Sequence, residues 1–264
     1  MEQLDIRLLG SMQLLRGDRP LTNFASDKVR ALFVYLVIEA AHPHQRRKLA
    51  TLLWPEIPET NALASLRHAL SNLRKVIGDR AAQPPYLITT PQTIQLNRDS
   101  EVKVDVNLFE EYCALAQKNP LDFQSLSIAA DLYMDRFLEG FSISDSVPFE
   151  EWMVIKRERF DQLAFQVFHK LANYYEIIGD YQSAIAFAQR QIGLDPWREE
   201  AHRLMMRCLY YSGQRSAAIA QYDKCCKALA SDLNIEPSSD TVKLFEAIRD
   251  KNLPLPPSPP GFCL

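Results

Sequence analysis

The sequence predicts a mainly α protein in two parts: a short α+β N-terminal part, then an all-α part built from repeated helix pairs. Three observations predict it. Turn-bounded β-prone runs are confined to the first 100 or so residues, three helix-period apolar stripes lie between them, and residues beyond Asp105 match themselves after a shift of 34 positions. At 264 residues the chain is comfortable as two domains and can bury its cores without disulfides or metals.

The elements follow in order. Leu4 to Leu9 alternates Leu/Ile with polar residues, and Met12 to Leu15 runs into Gly17-Asp18, which predicts strands and a turn of a small antiparallel sheet. Ser26 caps a helix whose stripe is Val29, Leu32, Phe33, Leu36 and Ala40, and His42-Pro43 ends it. A second, short helix runs from about Gln45 to Trp54, with Leu49, Leu52 and Leu53 inward and Pro55 as its stop.

The third helix, Thr60 to Gly78, has two distinct faces. Leu63, Leu66, Leu70, Leu73 and Ile77 recur at helical spacing as a core stripe. Roughly opposite lie Asn61, Ser65, His68, Ser71, Asn72 and Lys75, flanked by Arg67 and Arg74, a set able to bond phosphates and base edges together. Tyr86 to Thr90 and Thr93 to Leu96, separated by Pro91-Gln92, then read as a hairpin. A sheet, three helices and a hairpin in that order describe a winged helix-turn-helix over residues 1–100, in which the third helix enters the major groove and the hairpin meets the neighbouring backbone or minor groove.

From Asp105 onward the pattern is helical. Helices at about Val106 to Gln117 and Phe123 to Tyr133 form a less regular first pair, and Asp135 to Phe149 reads as a loop packed on the helices. Phe168, Leu171, Ala172, Tyr175, Gly179, Ala184 and Pro196 then fall on tetratricopeptide spacing. The 34-residue shift carries Tyr175 to Leu209, Gly179 to Gly213, Ala184 to Ala218 and Ala188 to Tyr222, whereas Pro237 lies 41 residues after Pro196, so the second copy carries an extension through Ser231 to Glu236. Residues 101–250 are thus a tetratricopeptide-like helical-repeat domain. Phe168, Tyr175, Phe187, Trp197, Met205, Met206, Tyr210 and Tyr222 are expected in its core, and His42, His44, His169 and His202 in structural roles. Residues 251–264, with prolines at 254, 256, 257, 259 and 260, suit an extended tail or linker.

Composition narrows the function. The net charge of -3 conceals an asymmetry: 13 Lys+Arg against 9 Asp+Glu up to residue 100, and 17 against 24 after it, so a +4 half precedes a -7 half. That division favours an anion-binding first domain and a second domain that faces protein. Cys113, Cys208, Cys225, Cys226 and Cys263 lack zinc spacing and fit a reduced setting as packing residues. Ala31 to Ile38, the longest apolar run, is too short to cross a bilayer, and no signal-peptide pattern opens the chain, so a cytoplasmic protein with no membrane partner is expected. A phosphate-binding GxxxxGK[ST] loop, HExxH, GxSxG and a Gly-rich dinucleotide turn are all lacking, which argues against an enzyme and against any cofactor or metal.

Over roughly residues 4 to 250 the chain resembles a known family. SDKVRALFVYLVIEA, RRKLATLLWPE and NALASLRHALSNLRKVIGD look like the OmpR-type winged helix of the Streptomyces antibiotic regulatory protein family. VDVNLFEEY at 104 to 112, FLEGF, FEEWMVIKRERF and DLNIEPSSDTVKLFEAI look like its partner, the bacterial transcriptional activation domain. The resemblance implies a sequence-specific bacterial transcription activator that binds direct repeats in double-stranded DNA near a promoter, pairs as a homodimer there and recruits RNA polymerase. Larger relatives continue into an ATPase and sensor region. Here no such continuation and no preceding receiver domain is expected, with the proline-rich tail a candidate point at which one was cut or lost.

The DNA-binding residues expected are Arg67, His68, Ser71, Asn72, Arg74 and Lys75 on the third helix, Arg46, Arg47 and Lys48 at the start of the second, where free N–H groups attract phosphate, and Thr90 at the hairpin. Arg67 is the first choice for reading a guanine. Thr89, Gln92, Lys28 and Arg30 are weaker candidates. A solvated helix face is the ordinary fate of such charges; the helix order and the following hairpin are what favour DNA. The competing readings are a helical-repeat scaffold whose winged helix contacts protein, and the regulatory front end of a larger signal-responsive ATPase.

Overall fold

The structure, a computed structural model, describes residues 3–119 and 122–254. The tail expected at 251–264 therefore lies outside the described residues beyond Pro254, as does Cys263. The chain divides into two compact units: residues 1–111 with 131–160, and residues 112–130 with 161–264.

In the first unit, β1 (Leu4–Arg7) pairs antiparallel with β2 (Gln13–Arg16), which pairs with β3 (Arg19–Pro20). A strand that patterning did not isolate, β7 (Val102–Val104), closes the other side of β1 in parallel, with Leu4 opposite Val102 and Ile6 opposite Val104. Helix α1 (Asp27–Ile38) buries Ala31, Val34 and Val37 besides Val29, Leu32, Phe33 and Leu36 of its expected stripe, because it is covered on more than one side, and it ends before Ala40, which is half-buried. Ser26 stands at its N-cap, although its side chain makes no capping hydrogen bond. After β4 (His44–Gln45) come α2 (Arg46–Leu53) and α3 (Glu59–Val76). The wing consists of β5 (Leu87–Thr89) and β6 (Thr93–Leu96), with β6 also pairing to β4, so this sheet runs β4-β6-β5. Buried Leu66, Leu70, Leu73 and Ile77 hold α3 against its neighbours as the stripe predicts, with Leu63 half-buried.

Two of the family-like segments explain how residues 131–160 join this unit. Arg157, in the FEEWMVIKRERF segment, donates from Nε to the Phe137 carbonyl at 2.8 Å and from Nη2 to Leu138 and Phe141 at 2.7 and 3.2 Å, holding the FLEGF turn. Leu138 is buried with φ +53, a left-handed backbone that a leucine adopts only when its surroundings impose it. Its N–H also donates to the Leu8 carbonyl at 2.8 Å. Within residues 1–111, the aspartate of VDVNLFEEY fixes the end of β1: Asp105 Oδ2 accepts the Leu8 and Leu9 N–H groups, each at 2.8 Å. Burial pushes the Asp105 carboxyl up, and those backbone donors oppose the rise. Glu39 accepts from Trp152 Nε1 at 2.8 Å and from Lys156 at 2.7 Å. Burial disfavours its charge, but these partners outweigh burial and hold the carboxyl below its ordinary value.

The second unit is helical throughout its regular structure. Helices α4 (Asp105–Lys118) and α6 (Val147–Ile177) continue into it, and it adds α5 (Phe123–Leu132), α7 (Tyr181–Leu194), α8 (Glu199–Tyr211), α9 (Arg215–Ala228) and α10 (Ser239–Arg249). The repeat has a geometric signature: Gly179 and Gly213 occupy matching turns at φ +81 and +80, and Ala184 and Ala218 are both fully buried. The extension of the second copy is a π-helical turn, Leu229–Leu233, ended by Asn234 at φ +53, which takes up the extra residues before Pro237. Phe168, Met205 and Met206 are core, with Tyr175, Phe187, Tyr210 and Tyr222 packed at its edge. Trp197 departs from expectation at 40% exposure, because it stands in the turn before α8 rather than on a packed helix face. Burial pushes the Cys208 and Cys225 thiols to about 12, so neither is a thiolate at neutral pH.

Candidate nucleic-acid interface

The interface is assembled around α3. Glu59 in its first turn and Arg74 and Lys75 in its last complement the helix dipole. With Leu66, Leu70 and Leu73 committed to the core, Arg67, His68, Ser71 and Lys75 are left exposed on one side, as the amphipathic pattern demands. Among the described residues Arg67 and Lys75 engage in no hydrogen bond or ion pair, and Lys48 at the start of α2 is likewise exposed and unpaired.

The other expected contacts divide differently. Arg74 is half-buried and its Nε donates to the fully buried Asp79 at 2.6 Å, while Asp79 also accepts the Leu87 N–H at 2.8 Å. This pair ties the end of α3 to the first strand of the wing. Asn72 is half-buried and its Oδ1 accepts the Ala25 N–H at 3.0 Å, fixing the chain ahead of α1. Lys28 pairs with Asp145 at 2.7 Å, and Arg30 with Asp27 at 2.7 Å. Arg47 pairs with Glu59 at 3.0 Å, both side chains remaining largely in solvent.

Arg46 connects the helices to the wing. Its Nε donates to the Thr90 carbonyl at 3.0 Å and its backbone N–H to the Gln92 carbonyl at 2.9 Å. Thr90 shapes the wing turn itself: its hydroxyl accepts the Gln92 and Thr93 N–H groups at 3.2 and 2.9 Å and lies 2.8 Å from the Thr93 hydroxyl. Arg46 and Arg67 also line one cleft of about 450 Å³, together with Arg47, Leu63, Pro91 and Gln92. Burial, and then the charge of Arg67, lower the Arg46 guanidinium below its ordinary value.

The amino-acid pattern identifies the exposed cations but not Asp79, which fastens Arg74 to the wing, nor the place of Leu63 in the cleft wall. Asp79 carries a legible signal, an aspartate just after the helix-ending Gly78, and Leu63, expected in the stripe, stands at the margin of the apolar arc. No helix among the described residues is long and apolar enough to cross a membrane, and no group of metal-ligating side chains forms among them.

A winged helix with an exposed basic third helix, joined in one chain to tetratricopeptide-like helices, defines a class of protein before any relative is considered. The model of the bacterial transcriptional activator domain family matches residues 104–249, more than half of the chain. The chain belongs to that family, in its Streptomyces antibiotic regulatory protein form. It is 25% identical to the regulatory protein AfsR of Streptomyces griseus over 273 aligned positions, covering 98% of this chain but 26% of AfsR. It is 27% identical to the transcriptional regulatory protein EmbR of Mycobacterium tuberculosis, covering 94% of this chain and 63% of EmbR. The chain thus spans about a quarter of one relative and under two thirds of the other. A solved structure of M. tuberculosis EmbR in complex with a low-affinity phosphopeptide has the same fold, with a TM-score of 0.70 at 24% identity over 96% of this chain and 66% of that one.

Proposed function

We propose that this chain is a sequence-specific DNA-binding transcriptional activator that binds direct repeats at promoters and recruits RNA polymerase. The observation that carries the reading is the exposed row Arg67, His68, Ser71 and Lys75 on α3, flanked by the wing and by Lys48. A winged helix that bound only protein would have no need of unpaired cations there. In this reading residues 1–100 bind duplex DNA and residues 101–250, which carry the acidic excess, meet RNA polymerase and a second protomer. The protein acts by binding and does no chemistry on its ligand, and it works in the cytoplasm.

Phosphate neutralisation dominates such binding, so affinity falls steeply with salt, with a slope of about -0.9 per phosphate engaged. The test is a gel-shift titration of the purified chain against the DNA upstream of its own gene at two salt concentrations. A retarded complex that weakens steeply with salt is expected. Failure to shift that DNA or any other duplex at low salt would refute the reading and favour a protein-binding scaffold.

A further inference from the structure

Arginine on an exposed recognition helix ordinarily suggests guanine reading, but the surroundings of Arg67 point elsewhere. At about 3.6 residues per turn, Arg67 lies between Leu63 and Arg74, which face the wing side of α3, and Ser71, Lys75 and His68, which face outward. It lines the cleft between α3 and the wing turn, opposite Arg46. Among the described residues no acidic side chain lines this cleft. Of its three guanidinium groups, that of Arg47 is already paired with Glu59. Arg46 is held through Nε by the Thr90 carbonyl, which leaves its terminal nitrogens unbonded among the described residues, and Arg67 has no partner among them.

Two like charges facing one water-filled cleft repel each other, and an anion seated between them removes the repulsion and gains charge-assisted hydrogen bonds from both. When a recognition helix lies in one groove and its wing reaches the next, the sugar-phosphate backbone is what passes between them. Leu63 and Pro91 give this cleft apolar walls, suited to a deoxyribose beside the phosphate.

We propose that the cleft seats a single DNA phosphodiester, clamped by Arg67 and Arg46, and that base reading falls to His68, Ser71 and Lys75. This rests on the DNA-binding reading above and changes the role of Arg67 within it. A phosphate clamp holds every sequence equally, whereas a base reader holds only its own site.

The experiment uses two duplexes of equal length: one enriched by the wild-type chain from a random-sequence library, and a shuffled version of it. Affinities are measured across a salt series for wild type, Arg67→Gln and Arg67→Lys. The clamp predicts that Arg67→Gln weakens both duplexes by the same factor, roughly tenfold, the scale of one charge-assisted hydrogen bond. Its salt slope becomes shallower, by at most about 0.9 because Arg46 still engages the phosphate, while Arg67→Lys keeps the wild-type slope. Neutral methylphosphonate placed at each backbone position in turn identifies one phosphate whose loss harms wild type more than Arg67→Gln, in which Arg46 alone still holds it. Thermal unfolding of Arg67→Gln stays at the wild-type temperature, because the side chain has no partner to lose. Weakening confined to the enriched duplex, with the salt slope unchanged, overturns the clamp and leaves DNA binding intact. Wild-type protein that binds neither duplex overturns both.

Discussion

Asp79→Ala cuts the link between the third helix and the wing, and its cost follows from the two hydrogen bonds that the substitution removes. The carboxylate is fully buried and accepts from Arg74 Nε at 2.6 Å and from the Leu87 N–H at 2.8 Å. Alanine leaves the Leu87 N–H without that acceptor inside the protein, which costs about 1–3 kcal/mol. A charge-assisted bond contributes about 1.5–3 kcal/mol where both partners are buried, but the Arg74 side chain is 32% exposed and can be rehydrated, so its share belongs at the low end. Together these give about 2–4 kcal/mol, or a fall in Tm of about 5–15 °C for a cooperative unit of this size. Asp79→Asn keeps the volume and one acceptor, and should lose about half as much. Far-UV circular dichroism on heating measures the fall, and hydrogen exchange at the Leu87 amide locates it. An alanine variant that melts within about 2 °C of wild type, with Leu87 still protected, would show that Asp79 does not fasten the wing.

Other expectations are as direct. Burial lowers the His202 imidazole below its ordinary 6.5. Its Nε2–H donates to the Pro196 carbonyl at 3.0 Å, and its Nδ1 accepts from Gln221 at 2.8 Å. A neutral folded imidazole means that the unfolded chain binds the proton first. The His202 contribution to stability is therefore flat above pH 6.5 and falls below it by at most about 1.4 kcal/mol per unit; urea titrations at stepped pH should show this slope in wild type and not in His202→Gln. Gly179→Ala and Gly213→Ala each force a side chain into a left-handed turn where nothing lies within 4 Å of the new Cβ, so each should cost about 1–2 kcal/mol, from backbone strain alone. Equal losses in denaturant titration check that the two turns are copies; a difference above about 1 kcal/mol would deny it. Arg157→Lys keeps the charge but cannot serve three carbonyls with a planar fork, and should lower Tm by several degrees, or about 1–3 kcal/mol. An unchanged melt would mean that the Leu138 turn holds itself.

Much of the fold was legible in the sequence because each helix announces itself through local period. The α3 stripe, the wing, and the matching Gly179 and Gly213 turns all rest on residues a few positions apart. What escaped depends on distant partners. Strand β7 is three residues long and becomes a strand only beside β1, almost a hundred positions earlier. The packing of 131–160 into the first unit rests on Glu39, which Trp152 and Lys156 reach, and on the Leu138 turn bonded to Leu8, partners that no periodicity connects. At the candidate interface, residue type alone could not separate Arg74 from Arg67. Both are arginines on the flank of one helix, yet one is fastened to buried Asp79 and the other faces a cleft. Asn72 was indistinguishable from Ser71 for the same reason, since its tie to Ala25 spans 47 residues.

Repeated selection of random-sequence duplexes by the purified chain, followed by sequencing of the retained pool, tests the central claim most directly, because the protein itself chooses the operator. A protein that reads DNA through α3 should enrich one short motif, recurring as a direct repeat, and His68→Ala with Lys75→Ala should erase that enrichment while the protein remains folded. A retained pool as random as the starting library would contradict the account.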